Sequence, residues 1–362
     1  MELSMNTELL QSMVARSMKG ASCNKMIPLT GLMAIELKDN VLTLITTDAS
    51  NYLYIKSDKI VGDDFYVVVQ AEVFSKLISR LTCSDVKLDL EENYLRIVGN
   101  GSYKIDLPLN EEGKPIVYPN PVASLDSNEI VEQNPVQLST MRMILTTAKA
   151  SLADTLDVPC YTGYYVGDKV ITTDTYKMCG INLKLFDEPV LISAGTMNLL
   201  DIMTEEDIAV AKTHTHMMFS TPTCVVFGKL MDSIADFQVD VIESLLNQQY
   251  DSVCKVSRDR LLQLLDRLAL FVSAYDKNGV YLTFTRDGLQ IESKKANSVE
   301  LIEYTESENF RDFTCCIDIE MFRSQIKANM GDAITIHYGD DAAIQLTDGY
   351  VTQVIALLED DR

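Results

Sequence analysis

Basic side chains recur in pairs at spacings of three, four or seven residues, which place both members of a pair on one face of a helix. Guanidinium and ammonium groups on one face can bind phosphate oxygens without reading a base sequence. Any single pair also fits an ordinary solvated face, but five helices with this pattern favour a basic surface that binds a polyanion. The pairs are Arg16 with Lys19, Lys76 with Arg80, Arg142 with Lys149, Arg260 with Arg267, and Arg323 with Lys327.

Signatures of enzyme active sites are not found in the sequence. There is no glycine-rich phosphate loop, no HExxH and no GxSxG. His214 and His216 could share one face of a strand, but no third ligand follows nearby, so ordinary strand histidines are favoured over a metal site. The sequence therefore predicts no catalytic residues, no metal and no cofactor. Acidic runs such as 205–207 are interpreted as solvated charge.

The helices that carry the basic pairs repeat along the chain. Three segments, about 120 residues apart, each read as a helix, short strands, a second helix and more strands. Solenoid and propeller repeats have periods of roughly 20 to 50 residues, so this longer period predicts three similar domains. The opening helices are predicted at 6–20, 138–154 and 257–273, and the second helices at 71–83, 194–207 and 318–330.

Short β-branched runs separated by turn residues predict antiparallel strands between the helices. Examples are 41–46, 86–90 and 94–98, and the clearest hairpin is 285–290. Apolar residues at helical spacing predict that the helices pack on these strands. The predicted fold class is α+β, with two helices packed on antiparallel sheets in each domain. The predicted domains are 1–123, 128–247 and 250–362, with linkers near 115–128 and 247–252.

Charge is distributed unevenly in this acidic chain. The 362 residues carry a net charge of −22, which by itself argues against a nucleic-acid partner. The charges of the six predicted helices, however, sum to zero. The excess negative charge therefore lies in strands, loops and the C-terminal segment, and the helices offer the surface on which an anion could bind.

The sequence also predicts a cytoplasmic location and no membrane partner. No apolar run approaches the roughly 18 residues that span a bilayer, and no basic stretch at the N-terminus leads into an apolar segment. The eight cysteines are scattered without CxxC spacing. They are predicted to be reduced thiols in the core.

Four stretches carry a resemblance to a known family. Together with the threefold repeat, and in the same order, they resemble the bacterial DNA polymerase III beta subunit, the sliding clamp, and this includes divergent or phage-encoded members. The resemblance spans essentially the whole chain. It implies the DNA clamp fold, in which such chains assemble head to tail into a closed homodimeric ring. The stretches are Leu29-Thr30-Gly31 after Ile27-Pro28, Thr46-Thr47-Asp48, Ile171 to Met178, and Gly228-Lys229-Leu230-Met231-Asp232.

The resemblance implies a role in DNA replication as a DNA polymerase processivity factor, which is not an enzyme. The implied partners are double-stranded DNA, a DNA polymerase, a clamp loader and other proteins with clamp-binding motifs. Phosphate contacts carry no sequence information, so a basic helical lining would hold DNA and let it slide. The segment 194–207 has no basic residue and is not expected to contribute. The implied DNA-binding residues are Arg16, Lys19, Lys25, Lys76, Arg80, Arg142, Lys149, Arg258, Arg260, Arg267, Arg323 and Lys327.

The resemblance further implies a hydrophobic pocket between the middle and last domains, where short peptides of partner proteins bind. Where the family has Gly-His-Arg, this chain has Thr175-Tyr176-Lys177, and its last residues lack the family's proline. Taken without the resemblance, 354–358 fits a plain core strand equally well. Met178, Val239 and Leu357 are the expected anchors. The implied pocket residues are Tyr161, Thr173, Thr175, Tyr176, Lys177, Met178, Val239, Ile242, Val354, Ile355, Ala356, Leu357 and Leu358.

The implied dimer interface joins the first domain of one protomer to the third domain of its partner. Its apolar candidates are Ile105 and Leu107 on a late strand of the first domain, and Leu270 and Phe271 at the end of a helix in the third.

The residues leave two other classes of protein as alternatives. A structural or interaction protein, such as a viral particle component built from repeated α+β domains, would need neither basic helical faces nor a peptide pocket. A hydrolase that uses paired carboxylates would need a site that the sequence does not reveal. Retention on circular but not on linear DNA would distinguish a clamp from both.

Overall fold

The structure is a computed structural model that describes residues 1–295 and 298–359. The chain forms two compact units. The first unit contains Met1–Ser139 and Gly195–Leu230, and the second contains Thr140–Ala194 and Met231–Arg362.

Eight α-helices and 25 β-strands are found in the described residues. The helices are α1 (Thr7–Ser17), α2 (Ala71–Ile78), α3 (Pro121–Ser124), α4 (Leu138–Ala148), α5 (Ala194–Asn198), α6 (Val239–Leu246), α7 (Arg258–Leu268) and α8 (Ile319–Ala328). The first eight strands are β1 (Glu2–Asn6), β2 (Leu32–Lys38), β3 (Val41–Thr47), β4 (Asn51–Ser57), β5 (Phe65–Gln70), β6 (Asp85–Leu90), β7 (Tyr94–Val98) and β8 (Ser102–Asp106). The next eight are β9 (Glu132–Gln137), β10 (Gly163–Val166), β11 (Val170–Thr173), β12 (Lys177–Ile181), β13 (Val190–Ser193), β14 (Asp207–Lys212), β15 (His216–Ser220) and β16 (Cys224–Lys229). The last nine are β17 (Ser252–Ser257), β18 (Gly279–Thr285), β19 (Gly288–Ser293), β20 (Val299–Ile302), β21 (Glu306–Glu308), β22 (Phe313–Asp318), β23 (Ala333–Tyr338), β24 (Ala343–Asp348) and β25 (Val351–Ala356).

The order of these elements repeats three times. Each repeat runs from a strand into a helix, continues through further strands to a second helix, and ends with three strands. β4, β12 and β20 hold the same place in the three repeats, and so do β8, β16 and β25. This order and the antiparallel sheets confirm the predicted α+β class.

The first unit is built on two sheets. One has eight strands in the order β5-β2-β3-β4-β16-β15-β14-β9, and the other has four in the order β1-β6-β7-β8. Helices α1 and α2 pack against each other and bury Leu10, Val14, Phe74 and Ile78. Each such side chain contributes about 1.5–3 kcal/mol on burial, so the apolar stripes hold the helices on the strands.

The second unit has the same two-sheet construction. Nine strands follow the order β13-β10-β11-β12-β25-β24-β23-β17-β21, and four follow the order β20-β19-β18-β22. Its larger core includes Leu261 and Leu265 of α7, Phe322 of α8, and Ile355 of β25. β25 lies inside the nine-stranded sheet, between β12 and β24.

One hydrogen bond fixes the end of the opening helix in each of the first two repeats. The hydroxyl group of Thr46 donates to the carbonyl oxygen of Ser17 at 2.7 Å, and that of Thr172 donates to the carbonyl oxygen of Ala148 at 2.7 Å. The last carbonyl groups of a helix lack partners within the helix, so these buried threonines satisfy one of them in each case.

Several predicted helices end earlier than the sequence indicated. The helix predicted at 138–154 is α-helical only to Ala148, and a 3₁₀ turn covers Lys149–Ser151. The helix predicted at 194–207 is α-helical only for Ala194–Asn198 and continues as the 3₁₀ turn Leu199–Ile202. Glycine, threonine and asparagine are weak helix formers, and all three occur in this short helix. The predicted hairpin at 285–290 is confirmed as β18 and β19, with Thr285 opposite Gly288.

No disulfide joins the cysteines in the described part of the chain. Six are buried, which agrees with core thiols, but Cys23 is exposed and Cys83 is half-buried. The prediction of a core position was therefore wrong for these two.

Candidate functional site

The pairing of β12 with β25 brings together residues that are distant in the sequence. The antiparallel register places Met178 opposite Val354, and Lys177 opposite Ile355. The backbone N–H of Ala356 donates to the carbonyl oxygen of Tyr176 at 2.8 Å. Residues predicted for the peptide pocket from two distant parts of the chain therefore meet in one sheet of the second unit.

Met178 and Val354 belong to an apolar cluster that α6 covers. Tyr161 meets the ring of Phe237 edge-on, with ring centroids 5.4 Å apart, and Tyr165 stacks on the same ring at 5.1 Å. Val239 packs at the margin of the cluster. The buried members of this apolar cluster are Cys160, Tyr161, Ile171, Met178, Leu191, Phe237, Ile242, Leu246, Ala343 and Val354.

Two contacts hold α6 close to the sheet. A Cβ atom at Gly180 of β12 would lie 2.7 Å from a methyl carbon of Leu246, so a larger residue there would force the leucine side chain to shift. At the end of the helix, the side-chain amide of Gln345 donates to the carbonyl oxygen of Leu246 at 2.9 Å. The position of Ile242 over the apolar cluster is therefore fixed by the sheet beneath it.

A tight turn before β12 orients Tyr176 and Lys177. Thr173 donates through Oγ1 to the carbonyl oxygen of Lys177 at 3.0 Å and accepts from the N–H of Thr175 at 3.0 Å. The carboxylate of Asp174 accepts from the N–H groups of Tyr176 and Lys177 at 2.9 and 2.8 Å. Thr175 has a φ of +80°, in the region that favours glycine, and these four hydrogen bonds offset that strain.

The same turn occurs in the first repeat. Thr47 donates to the carbonyl oxygen of Asn51 at 2.5 Å, and Asp48 accepts from the N–H groups of Ser50 and Asn51 at 2.9 and 2.7 Å. Ala49 has a φ of +84°, close to that of Thr175. The turn is therefore a property of the repeat, and the side chains that it presents distinguish the two copies.

Tyr176 and Lys177 differ in how accessible they are. Tyr176 is 62% exposed beside the apolar cluster. The ammonium group of Lys177 donates to the carbonyl oxygen of Ala150 at 2.6 Å and lies 3.1 Å from the carboxylate of Asp174. Because its charge is already paired, Lys177 acts in this structure as a bridge between the turn and the end of the preceding helical segment.

The C-terminal pocket residues divide between the two faces of the sheet. Val354 faces the apolar cluster, whereas Ile355 is fully buried in the larger core and Leu357 packs against that core. The backbone N–H of Leu358 donates to the carbonyl oxygen of Cys316 at 2.8 Å. Leu357, expected as an anchor, therefore packs on the opposite face from Met178. Residues 360–362 of the acidic terminus lie outside the described residues.

The equivalent strand pair in the first unit is filled by larger side chains. β4 pairs with β16, and Tyr52 lies opposite Phe227 at the places that Met178 and Val354 hold in the second unit. Phe227 is 4% exposed and stacks on His216, with centroids 4.7 Å apart. Of the two equivalent positions, only the β12–β25 pair combines a flexible methionine with a small valine.

Six of the predicted DNA-binding side chains are exposed and form no ion pair or side-chain hydrogen bond within the described residues. Their charges are available to a phosphate without the loss of an existing partner. Lys25 lies in a turn rather than on a helix. Lys149 is also exposed, on the turn that follows α4. The six are Lys19, Lys25, Arg80, Arg142, Arg260 and Lys327.

Three other predicted DNA-binding residues are paired with carboxylates. Lys76 lies 2.5 Å from Glu72, and Arg323 lies 3.1 Å from Asp266 and 2.8 Å from Glu320. Arg267 forms two hydrogen bonds with Glu300, at 2.8 and 2.5 Å, and holds the pKa of that carboxyl below its usual value. Exposed pairs of this kind stabilise by only about 0–1 kcal/mol, but each leaves a negative charge beside the cation.

Arg16 and Arg258 bind backbone carbonyl groups, and Arg258 also lies 3.3 Å from the carboxylate of Asp259. Arg16 donates to Ile202 at 3.3 Å, and Arg258 donates to Ile326 and Lys327 at 3.2 and 2.9 Å. Arg258 thus satisfies the last carbonyl groups of α8. Helical spacing predicts the face on which an arginine lies, but it does not reveal such a partner on another element.

One carboxylate of the acidic segment after α5, that of Glu205, forms structural hydrogen bonds. Glu205 is half-buried and accepts hydrogen bonds from the hydroxyl groups of Thr221, at 3.0 Å, and Thr223. Burial alone would raise the pKa of Glu205, but these hydrogen bonds lower it below the usual value. Asp201 and Glu206 remain exposed, so this segment presents negative charge where the other helical segments present cations.

The four predicted interface residues differ in exposure. Leu270 is 81% exposed and Phe271 is 50% exposed, on the 3₁₀ turn after α7. Ile105 is 6% exposed, because it faces the core of its own unit, and Leu107 is half-buried beside Tyr66 and Pro115. The sequence reading missed the exposed Val299 and Leu301 of β20, a strand at the edge of its sheet.

No group of three or more His, Cys, Asp or Glu side chains within residues 1–295 and 298–359 is arranged to hold a metal ion. Among the same residues, no helix is both long enough and apolar enough to cross a membrane.

The chain resembles known proteins in both sequence and fold. Residues 1–115 match the family model described as the DNA polymerase III beta subunit, N-terminal domain. A search of curated protein sequences finds no match. A solved DNA polymerase sliding clamp from Bacillus subtilis is 17% identical, with a TM-score of 0.83 over 99% of both chains. The beta subunit from DNA polymerase of Streptococcus pyogenes is 16% identical, with a TM-score of 0.85 over 99% of this chain and 100% of that one.

The fold is therefore that of the bacterial DNA sliding clamps, over essentially the whole chain. Its N-terminal 115 residues match the DNA polymerase III beta subunit family in sequence as well. The resemblance predicted from the four sequence stretches is confirmed by both findings.

Proposed function

We propose that the chain is a DNA sliding clamp. Two copies form a closed ring that encircles duplex DNA, tethers the replicative polymerase for processivity and docks partner proteins through short peptide motifs. We place this activity in the cytoplasm, in DNA replication, and assign three clamp domains, 1–123, 128–247 and 250–362, to each chain.

The repeated strand pairing carries this proposal. β4 of the first repeat pairs antiparallel with β16 of the second, and β12 of the second pairs in the same way with β25 of the third. Two strands that hold these places in the repeat have no such partner in the chain. They are β20, the equivalent of β4 and β12, and β8, the equivalent of β16 and β25, and each lies at the edge of a four-stranded sheet. In a ring of two copies, β20 of each copy would pair with β8 of the other. This would repeat the same strand pairing twice more and leave neither edge open.

Side chains beside these two edges suit such a contact. Val299 and Leu301 of β20 are 56% and 53% exposed, and Leu270 and Phe271 lie exposed in the same sequence repeat. Tyr103 on β8 is also exposed. Exposed apolar side chains next to open strand edges favour association with another strand, and in this proposal the strand comes from a second copy.

DNA would be bound through the exposed basic side chains of the helical segments. Phosphate contacts of Arg80, Arg142, Arg260 and Lys327 would attract DNA without reading its sequence. The carboxylates that pair with Lys76, Arg267 and Arg323 would weaken the grip of those three. The acidic surface elsewhere would repel DNA from the outside of the ring.

Partner peptides would bind at the apolar cluster between β12 and α6. Met178 and Val354 offer a flexible and a small side chain in one patch, and Tyr176 stands exposed beside them. Large apolar anchors of a peptide would displace or reorder such side chains, and a few contacts would supply most of the affinity.

The test of the proposal is topological. The protein is loaded by a clamp loader onto nicked circular DNA and onto the same DNA after linearisation, and retained protein is measured by gel filtration at high salt. We expect retention on the circle and loss from the linear form, together with a dimeric mass in solution. Equal loss from both forms, or equal retention on both, would contradict encirclement.

A further inference from the structure

Two segments with carboxylates and no cation flank the proposed peptide site. The segment 150–162 supplies Tyr161 to the apolar cluster, and the segment 231–246 supplies Phe237 and Ile242. These segments contain no Lys, Arg or His. Their acidic residues are Asp154, Asp157, Asp232, Asp236, Asp240 and Glu243.

These charges lie close enough to the apolar cluster to act on it. Burial raises the pKa of the Cys160 thiol, and the charge of Asp236 raises it further. Burial also raises the pKa of Tyr165, with further contributions from Glu243, Asp168 and Asp240. The negative potential therefore reaches side chains that pack in the cluster itself.

Two cations that contact elements of the site are already paired. The ammonium group of Lys169 lies 3.4 Å from Glu243, and that of Lys177 lies 3.1 Å from Asp174. By contrast, Asp154, Asp157, Asp236 and Asp240 are exposed and form no ion pair with any other described residue. A ligand at this site thus meets four carboxylates that have no cation of their own.

The same segments expose apolar side chains next to these carboxylates. Leu156 is 78% exposed, Val158 41% and Val241 55%. Together with the exposed Tyr176, they add apolar side chains to the acidic stretches of chain around the site. Surfaces of this composition bind partners through combined apolar and charged contacts.

We propose that this site selects extended peptides that carry lysine or arginine beside their apolar anchors. The inference rests on the proposed docking function and names the chemistry of its partner. The anchors would supply affinity in the apolar cluster, and basic side chains next to them would pair with Asp154, Asp157, Asp236 and Asp240. An acidic peptide with the same anchors would face unpaired like charges and bind more weakly.

Fluorescence polarisation with three labelled nine-residue peptides tests this selectivity on the full chain. The peptides share two leucines and one phenylalanine and differ only in two flanking residues, which are lysine, glutamine or glutamate. We expect the dissociation constant to be about tenfold lower for the lysine peptide than for the glutamate peptide at low salt, with glutamine between them. The difference should largely vanish near 1 M salt, where the Debye length is about 3 Å.

Variants locate the effect. Asp236→Lys with Asp240→Lys should remove most of the difference between the lysine and glutamate peptides, whereas Asp287→Lys, in the β18–β19 turn, should leave it unchanged. Met178→Tyr should weaken binding of all three at least about tenfold, which separates site binding from general attraction to an acidic protein.

Each outcome has a distinct meaning. If the glutamine and glutamate peptides bind the protein as tightly as the lysine peptide does, the charge preference is overturned and the docking site is unaffected. Parent-like affinity of the lysine peptide for the Met178→Tyr variant would also overturn it, since the attraction would then not arise at this site. If no peptide binds the parent protein, both the docking site and its preference for basic peptides are contradicted.

Discussion

Met178 holds in the second repeat the place that Tyr52 holds in the first, one residue after the same hydrogen-bonded turn. Each lies opposite a residue of the neighbouring strand, which comes from the following repeat: Val354 for Met178 and Phe227 for Tyr52. One chain thus contains two equivalent strand pairs: in β4–β16 the facing residues are two aromatic side chains, and in β12–β25 they are methionine and valine. This difference provides a matched pair of substitutions.

Met178→Tyr should make the β12–β25 pair resemble the β4–β16 pair and block the peptide site. The larger ring would occupy the space available to an anchor, so binding of an apolar peptide should weaken at least about tenfold while the fold is retained. Binding is measured by fluorescence polarisation and folding by circular dichroism. The reciprocal Tyr52→Met is the control and should bind as the parent does. Parent-like affinity of a folded Met178→Tyr protein would place the peptide site elsewhere.

Leu270→Asp combined with Phe271→Asp should yield a folded monomer. Both side chains are exposed in the single chain, so the change should leave the core intact, whereas charge buried in an interface without a partner is strongly unfavourable. Analytical ultracentrifugation at micromolar concentration measures the mass. Tyr350→Asp alters another exposed aromatic residue, in the turn before β25, and should remain dimeric. A double variant that stays dimeric would exclude this surface from the interface.

Replacing unpaired cations should reduce the salt dependence of DNA binding more than replacing paired ones. In Arg80→Gln with Arg142→Gln, each lost phosphate contact should remove about 0.9 from the slope of log affinity against log salt. In Lys76→Gln with Arg267→Gln, the loss should be smaller, because Glu72 and Glu300 already neutralise those side chains. Affinity is measured by titrating duplex DNA at several salt concentrations. The same slope in both variants would contradict the division into paired and unpaired cations.

Stability should fall as the pH is lowered through about 6.5, the usual pKa of histidine, partly because of His337. Burial lowers the pKa of His337 in the folded chain, and its Nε2 lies 2.9 Å from the hydroxyl group of Thr347. The unfolded chain then binds the proton more readily, so stability is complete above the unfolded pKa and declines below it.

Thermal unfolding between pH 7.5 and 5.5 measures this effect, in a range where most carboxylates stay ionised. His337→Gln should show a weaker pH dependence of its unfolding temperature than the parent. An unchanged profile for His337→Gln would assign the pH dependence to other groups.

Much of the fold follows from local signals in the sequence. Apolar spacing on α2 and α7 predicted where both helices begin, to within one residue, and the Asp287-Gly288 pair predicted the hairpin of β18 and β19. The segment 194–207 was overpredicted, because its apolar residues keep helical spacing although only the first part is α-helical. The length of the α-helix in this segment depends on tertiary packing, which the spacing of apolar residues does not predict.

The candidate sites depend on contacts that no local pattern encodes. Met178 and Val354 were named together only through the family resemblance, since the register of β12 and β25 joins distant parts of the chain. The carbonyl partners of Arg16 and Arg258 lie on other elements. The edge position of β20 likewise follows from the sheet order, so Val299 and Leu301 were missed.

The place of β25 in the second unit has a consequence for synthesis of the protein. All twelve strands of the first unit's two sheets end by Lys229, so these sheets can form while the rest of the chain is still being translated. The nine-stranded sheet cannot close until Ala356 has left the ribosome, because β25 separates β12 from β24. Until then the open edge of β12 is a site for misassembly or for capture by chaperones. Nascent chains halted before Val351 should therefore be far more sensitive to protease within 140–194 than within 1–139.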